Sequence, residues 1–138
     1  MIKARIFLLC LSLGLLSCKK EEETSYLEKY TGTYIGGGLV GGGNVITGSS
    51  YKYSDAIVKI SKGSGDSSLN FRIDYDSRDV YILKDIKIHS SGEGLYDWDG
   101  GSLYGYLEYH FDGDSLHFTH NQNAGQGAWN RRYFDGRR

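Results

Sequence analysis

From Tyr51 onward the chain alternates between apolar and polar positions. Ala56, Val58 and Ile60 share one parity against Asp55, Lys59 and Ser61. Leu69, Phe71, Ile73 and Tyr75 alternate with Asn70, Arg72 and Asp74, and Leu103, Gly105, Leu107, Tyr109 and Phe111 with Tyr104, Tyr106, Glu108 and His110. A period of two marks half-buried β-strands, because successive side chains point to opposite faces of a sheet. Turn-forming clusters separate the runs: KGSGDS at 62–67, DSRD at 76–79 and the hairpin signal DGD at 112–114. Val80, Ile82, Ile86 and Ile88 keep one parity with Lys84 as an interruption, which predicts a bend or bulge near Lys84 and Asp85.

Residues 95–98 read as a short strand, 116–120 continue beyond the hairpin, 121–127 read as polar loop and 128–134 as the last strand. Upstream, Ser25 with Glu28 three residues on fits a capping box and predicts one helical turn over 26–30, followed by an entry strand at 31–35. Residues 36–43 hold six glycines in eight positions. Ordering them is entropically costly, so the expectation is a mobile loop, with a weak, bulged strand as the rival. No Gly-Lys-Ser/Thr follows, so the stretch is not a phosphate cradle.

The sum is an all-β chain: an antiparallel up-and-down meander of about eight short strands closing as a barrel, with a β-sandwich as the alternative. Closure would remove edges that invite aggregation. Composition agrees, with 12 Tyr, 5 Phe and 2 Trp beside 20 Gly and no Pro.

The first residues follow a different pattern. Lys3 and Arg5 precede an apolar run at 6–16, and Ser17 stands before Cys18. This is the layout of a secretory signal peptide, and the run is too short to span a bilayer. A cysteine directly after the small residue resembles the bacterial lipobox. That resemblance implies cleavage before Cys18, a diacylglyceryl group on its thiol, and anchorage to a membrane through the acyl chains. The expected organisation is a signal peptide at 1–17, lipidated Cys18 with a charged tether at 18–25, and a barrel domain at 26–138. Lys19, in place of the aspartate of inner-membrane retention, and the acidic run after Lys20 resemble outer-membrane export signals. The expected location is therefore the outer membrane, lipid-anchored and exposed on the cell surface. One cysteine remains after cleavage, so no intramolecular disulfide forms.

The helical turn, the Gly32-Thr33-Tyr34 entry motif, the meander and the basic terminus resemble small lipocalin-like lipoproteins of Gram-negative bacteria. The resemblance implies a barrel whose interior or open end holds a small apolar ligand, with Arg132 or Arg137 packed on Tyr34. An inward set of Val58, Ile60, Leu69, Phe71, Ile73, Ile86, Ile88, Leu107, Phe111 and Phe118 is bulky enough to fill an eight-stranded barrel by itself.

Candidate chemistry is sparse. Loss of Lys3 and Arg5 with the signal takes the net charge from −1 to −3, without the basic excess of nucleic-acid binders. His117 and His120 fall on opposite strand faces, and His110 with His117 makes only two ligands, short of a zinc set. The histidines are expected to be solvated or capping. Asp97, Asp99 and Glu108 partly mimic a calcium loop, but Gly101 and Ser102 occupy positions that need a ligand and a glycine. No nucleophile elbow occurs, so no enzymatic activity, metal or cofactor is expected. What remains is a polar-parity set of Tyr104, Tyr106, Trp129, Arg131 and Tyr133, candidate contacts for a protein or glycan partner. The expected function is a non-enzymatic binding module, for an apolar ligand inside the barrel or, alternatively, as an interaction subunit using this aromatic face.

Overall fold

A computed structural model describes residues 26–44, 46–76, 79–99, 103–125 and 127–138. Cys18 and the expected signal segment and tether lie outside the described residues. The described residues open with a 3₁₀ turn, Tyr26–Tyr30, where the capping box predicts one. Eight strands follow: β1 Gly32–Gly43, β2 Gly48–Lys62, β3 Ser68–Asp76, β4 Asp79–Lys87, β5 Glu93–Asp99, β6 Leu103–Asp112, β7 Ser115–Ala124 and β8 Ala128–Arg137. They form one antiparallel up-and-down sheet in the order β4-β3-β2-β1-β8-β7-β6-β5, curled into a nearly closed barrel. The sandwich alternative is not what forms.

Closure is incomplete. β4 and β5 stand at the two ends of the sheet, and no ladder joins them among the described residues. Phenols cover part of this seam: Tyr109 on β6 donates to the Lys87 carbonyl, and Tyr26 donates to the Ile88 carbonyl at 3.2 Å.

The glycine-rich segment is strand, not loop. Residues 36–43 pair with β2 on one side and β8 on the other, with the register slipping between Gly36 and Gly38. The physical reason is crowding. The Tyr53 phenol on β2 reaches across β1 to the Tyr133 carbonyl on β8, and a Cβ on Gly38 would strike that carbonyl. Gly113 serves a turn instead: its φ of 56° makes the two-residue connection between Asp112 and Ser115.

A bulge also forms near Lys84 and Asp85. Leu69 pairs with Ile86 but Phe71 with Leu83, and Asp85 takes a φ of 55°. Ser64 donates to the Asp85 carboxylate through its backbone N–H (2.6 Å) and hydroxyl (2.9 Å), which holds the carboxyl below the usual carboxylate range. The extra residue inverts the parity. Ile86 and Ile88 point inward, while Val80 and Ile82 face solvent and Tyr81 and Leu83 take the inner positions.

All ten residues of the predicted inward set are buried. Phe111 and Phe71 among them pack toward the end of the barrel that the 3₁₀ turn covers with Leu27 and Tyr30. Tyr34 is fully buried there, and its arginine partner is Arg138, not Arg132 or Arg137. The Arg138 guanidinium lies 5.7 Å from the Tyr34 ring centre, donates to the Thr31 carbonyl at 3.1 Å and pairs with Asp114 at 2.5 Å. Arg137 is exposed on the outward parity, and Arg132 points into the opposite end.

Candidate functional site

β7 runs on past the predicted loop boundary, so Asn121, Gln122 and Asn123 are strand residues paired on both sides. The correction matters because it brings the aromatic set together. Asn123 lies between Tyr104 of β6 and Trp129 of β8. Asn121 lies between Tyr106 and Arg131, and Thr119 between Glu108 and Tyr133. Short side chains on the middle strand and long ones on its neighbours make a groove on the outer surface. Its walls stand two strand spacings apart, about 10 Å.

The five predicted contact residues therefore line one surface. Tyr104, Trp129 and Arg131 border a depression of about 360 Å³ floored by Asn121 and Asn123. Tyr106 and Tyr133 border a larger, shallow depression of about 900 Å³ that continues over Leu95, Asp97, Glu108 and Thr119. Tyr104, Trp129 and Tyr133 are 50%, 40% and 44% exposed, so their rings are partly open to solvent.

The polar groups between them are held in place. Arg131 Nη1 donates to the Tyr133 phenol at 3.4 Å, and this bond, with Tyr106 nearby, raises the guanidinium pKa and keeps the charge fixed. Asn121 is only 6% exposed, and its Oδ1 has no hydrogen-bond partner among the described residues. A buried amide oxygen of this kind normally finds a donor. The groove thus combines amphipathic rings, one fixed cation and an acceptor awaiting a donor.

The histidines divide by strand face. His110 and His117 pair across β6 and β7 on the outer surface, where His117 Nδ1 is 3.4 Å from Asp135. Among the described residues no group of three His, Cys, Asp or Glu side chains is placed to hold a metal ion. Asp97 and Glu108 sit on the outward parities of β5 and β6, and the intervening 100–102 lie outside the described residues.

His120 is neither solvated nor capping: it is fully buried. It shares the inward parity with Leu116 and Phe118, a signal that the sequence does contain. Tyr75 bonds its Nδ1 at 2.9 Å, Tyr81 meets its ring edge-on at 4.6 Å and Trp98 approaches to 5.4 Å. Burial and the neighbouring Arg132 push its pKa down to about 4, so the imidazole is neutral at pH 7. Arg132, its direct cross-strand partner, is also buried, with Nη2 at 2.5 Å from Asp79 Oδ2. The alternation of the strands does not single out this pair, because parity alone does not say which buried polar groups meet.

Scans of the chain against family models, curated proteins and solved structures return no match.

Proposed function

We propose that this protein is a lipid-anchored, non-enzymatic binding module of the bacterial outer membrane whose recognition surface is the groove along β7, and that its ligand is a glycan. The observation that carries the reading is the arrangement of Tyr104, Tyr106, Trp129 and Tyr133 around Asn121, with its buried, unpartnered amide oxygen. Amphipathic rings offer apolar faces to the C–H surfaces of a sugar. The amides of Asn121 and Asn123, with Arg131 and Glu108, offer donors and acceptors for its hydroxyls. Small-molecule sites share this composition: mostly apolar walls with a few fixed polar groups.

The interior supports the outer surface over the apolar-cargo reading. Tyr34, Val58, Leu69, Phe71, Ile73, Ile86, Leu107 and Leu116 are fully buried and fill the interior with side chains. In barrels of this strand number the interior is only just wide enough for such filling.

The anchor rests on Ser17-Cys18 and the polar run that follows. Mass spectrometry of protein from its host tests it: a diacylglyceryl-modified Cys18 terminus is expected, and an unmodified thiol overturns the lipoprotein reading. For recognition, the full-length protein is applied to a glycan array beside its Tyr106→Ala and Trp129→Ala variants. Retention by a defined glycan class, lost in both variants, is expected. Capture unchanged by the substitutions, or no capture at all, sinks the glycan reading.

A further inference from the structure

The polar end of the barrel interior carries donors that the fold leaves unmet. His120 and Arg132 are paired directly across β7 and β8, both pointing inward, at 0% and 5% exposure. Burial raises the Tyr75 pKa, so its phenol keeps its proton, and it is paired with His120 Nδ1 at 2.9 Å. With the phenol as donor the imidazole proton lies on Nε2, which has no partner among the described residues. Arg132 uses Nη2 for Asp79, while among the described residues its Nε and Nη1 have no partner either. The guanidinium is held by two rings, 4.9 Å from the centre of Tyr75 and 5.0 Å from that of Tyr81. Buried donors without acceptors are costly, and three nitrogens of two facing residues concentrate that cost at one spot.

The same spot adjoins the break in the sheet. Tyr81 on β4 and Trp98 on β5 come from the two strands that no ladder joins, and both rings pack on His120. Asp79, at the start of β4, is 37% exposed through its side chain, so the cluster reaches the barrel mouth.

We propose that this end of the barrel is a second binding site, independent of the outer groove, which takes a carboxylate on the unpartnered nitrogens of Arg132 and His120. A carboxylate supplies acceptors only, and its charge strengthens each hydrogen bond that it takes from an N–H donor. Asp79 already occupies one side of that guanidinium, so the incoming carboxylate and Asp79 repel each other through a shared cation.

This repulsion gives the test a direction. Full-length protein carrying Trp129→Phe, which leaves Trp98 as its single tryptophan, is titrated with acetate, hexanoate and inorganic phosphate while indole emission is followed. Saturable binding of the carboxylates is expected, weakened at least tenfold by Arg132→Gln and tightened several-fold by Asp79→Asn. Asp79 is partly exposed, so the second variant keeps the test open if the first fails to fold. Affinity that Asp79→Asn leaves unchanged or weakens overturns the proposal, as does the absence of saturation by either carboxylate. Saturation by phosphate alone also overturns it, because the site would then be one for phosphate.

Discussion

The two ends of the barrel interior are built from the same strands under the same alternation, yet they do opposite things. At the covered end the inward positions of β3, β6 and β7 are Leu69, Phe71, Phe111 and Leu116, closed by Leu27, Tyr30 and the Tyr34–Arg138 pair. Two inward positions further along the same strands come Tyr75, His120 and, on β8, Arg132. One end stabilises by removing apolar surface from water; the other places neutral and charged donors in low dielectric, where each depends on a partner. Alternation therefore specifies which side chains go inside, and only their chemistry decides whether the inside is a core or a site.

The largest contrast comes from emptying the covered end. Leu116→Ala should cost about 2–5 kcal/mol, the range for a fully buried leucine that leaves a cavity, read as a fall in the denaturant midpoint at unchanged slope. Survival of full stability would mean that this end is not tightly packed.

The polar end should respond to acid instead. His120 has a folded pKa of about 4 against an ordinary value near 6.5, so the unfolded chain binds the extra proton first. Stability is then complete above about pH 6.5 and falls as pH drops toward 4, by about 3 kcal/mol if this group acts alone. Denaturation at pH 7 and pH 4, with His120→Gln as the comparison, isolates the contribution: the variant should lose less on acidification.

A smaller effect is expected at the closing arginine. Arg138→Ala removes a partly exposed ion pair with Asp114 and the cover over Tyr34, and about 1 kcal/mol should be lost, measurable by thermal melting. Smallest of all, Trp129→Ala on the outer face should change stability by less than about 0.5 kcal/mol, because the ring is exposed and serves no core. The same variant should lose ligand capture, which separates recognition from folding.

Local pattern makes much of this legible. The ten inward residues, the 112–114 turn, the turn at Tyr26–Tyr30 and the bulge at Lys84 and Asp85 all follow from spacing within a few residues. What escapes depends on partners distant in sequence. The glycine run is strand because β2 and β8 clamp it and the Tyr53 phenol needs the space above Gly38. Val80 and Ile82 face outward because a single extra residue reverses every position beyond it. Asn121 and Asn123 look like loop residues in isolation; flanked by β6 and β8 they become the floor of the groove. The aromatic set is visible from parity, but its convergence on Asn121 is not, since that requires the register of three strands.

Recognition on the outer groove can be located residue by residue through amide chemical-shift mapping of the ¹⁵N-labelled protein with the strongest binder from the glycan array. Shifts concentrated at 104–108, 119–123 and 129–133 are expected. Shifts confined to the outer faces of β1 to β4, or to the barrel interior, would place recognition elsewhere and refute the groove.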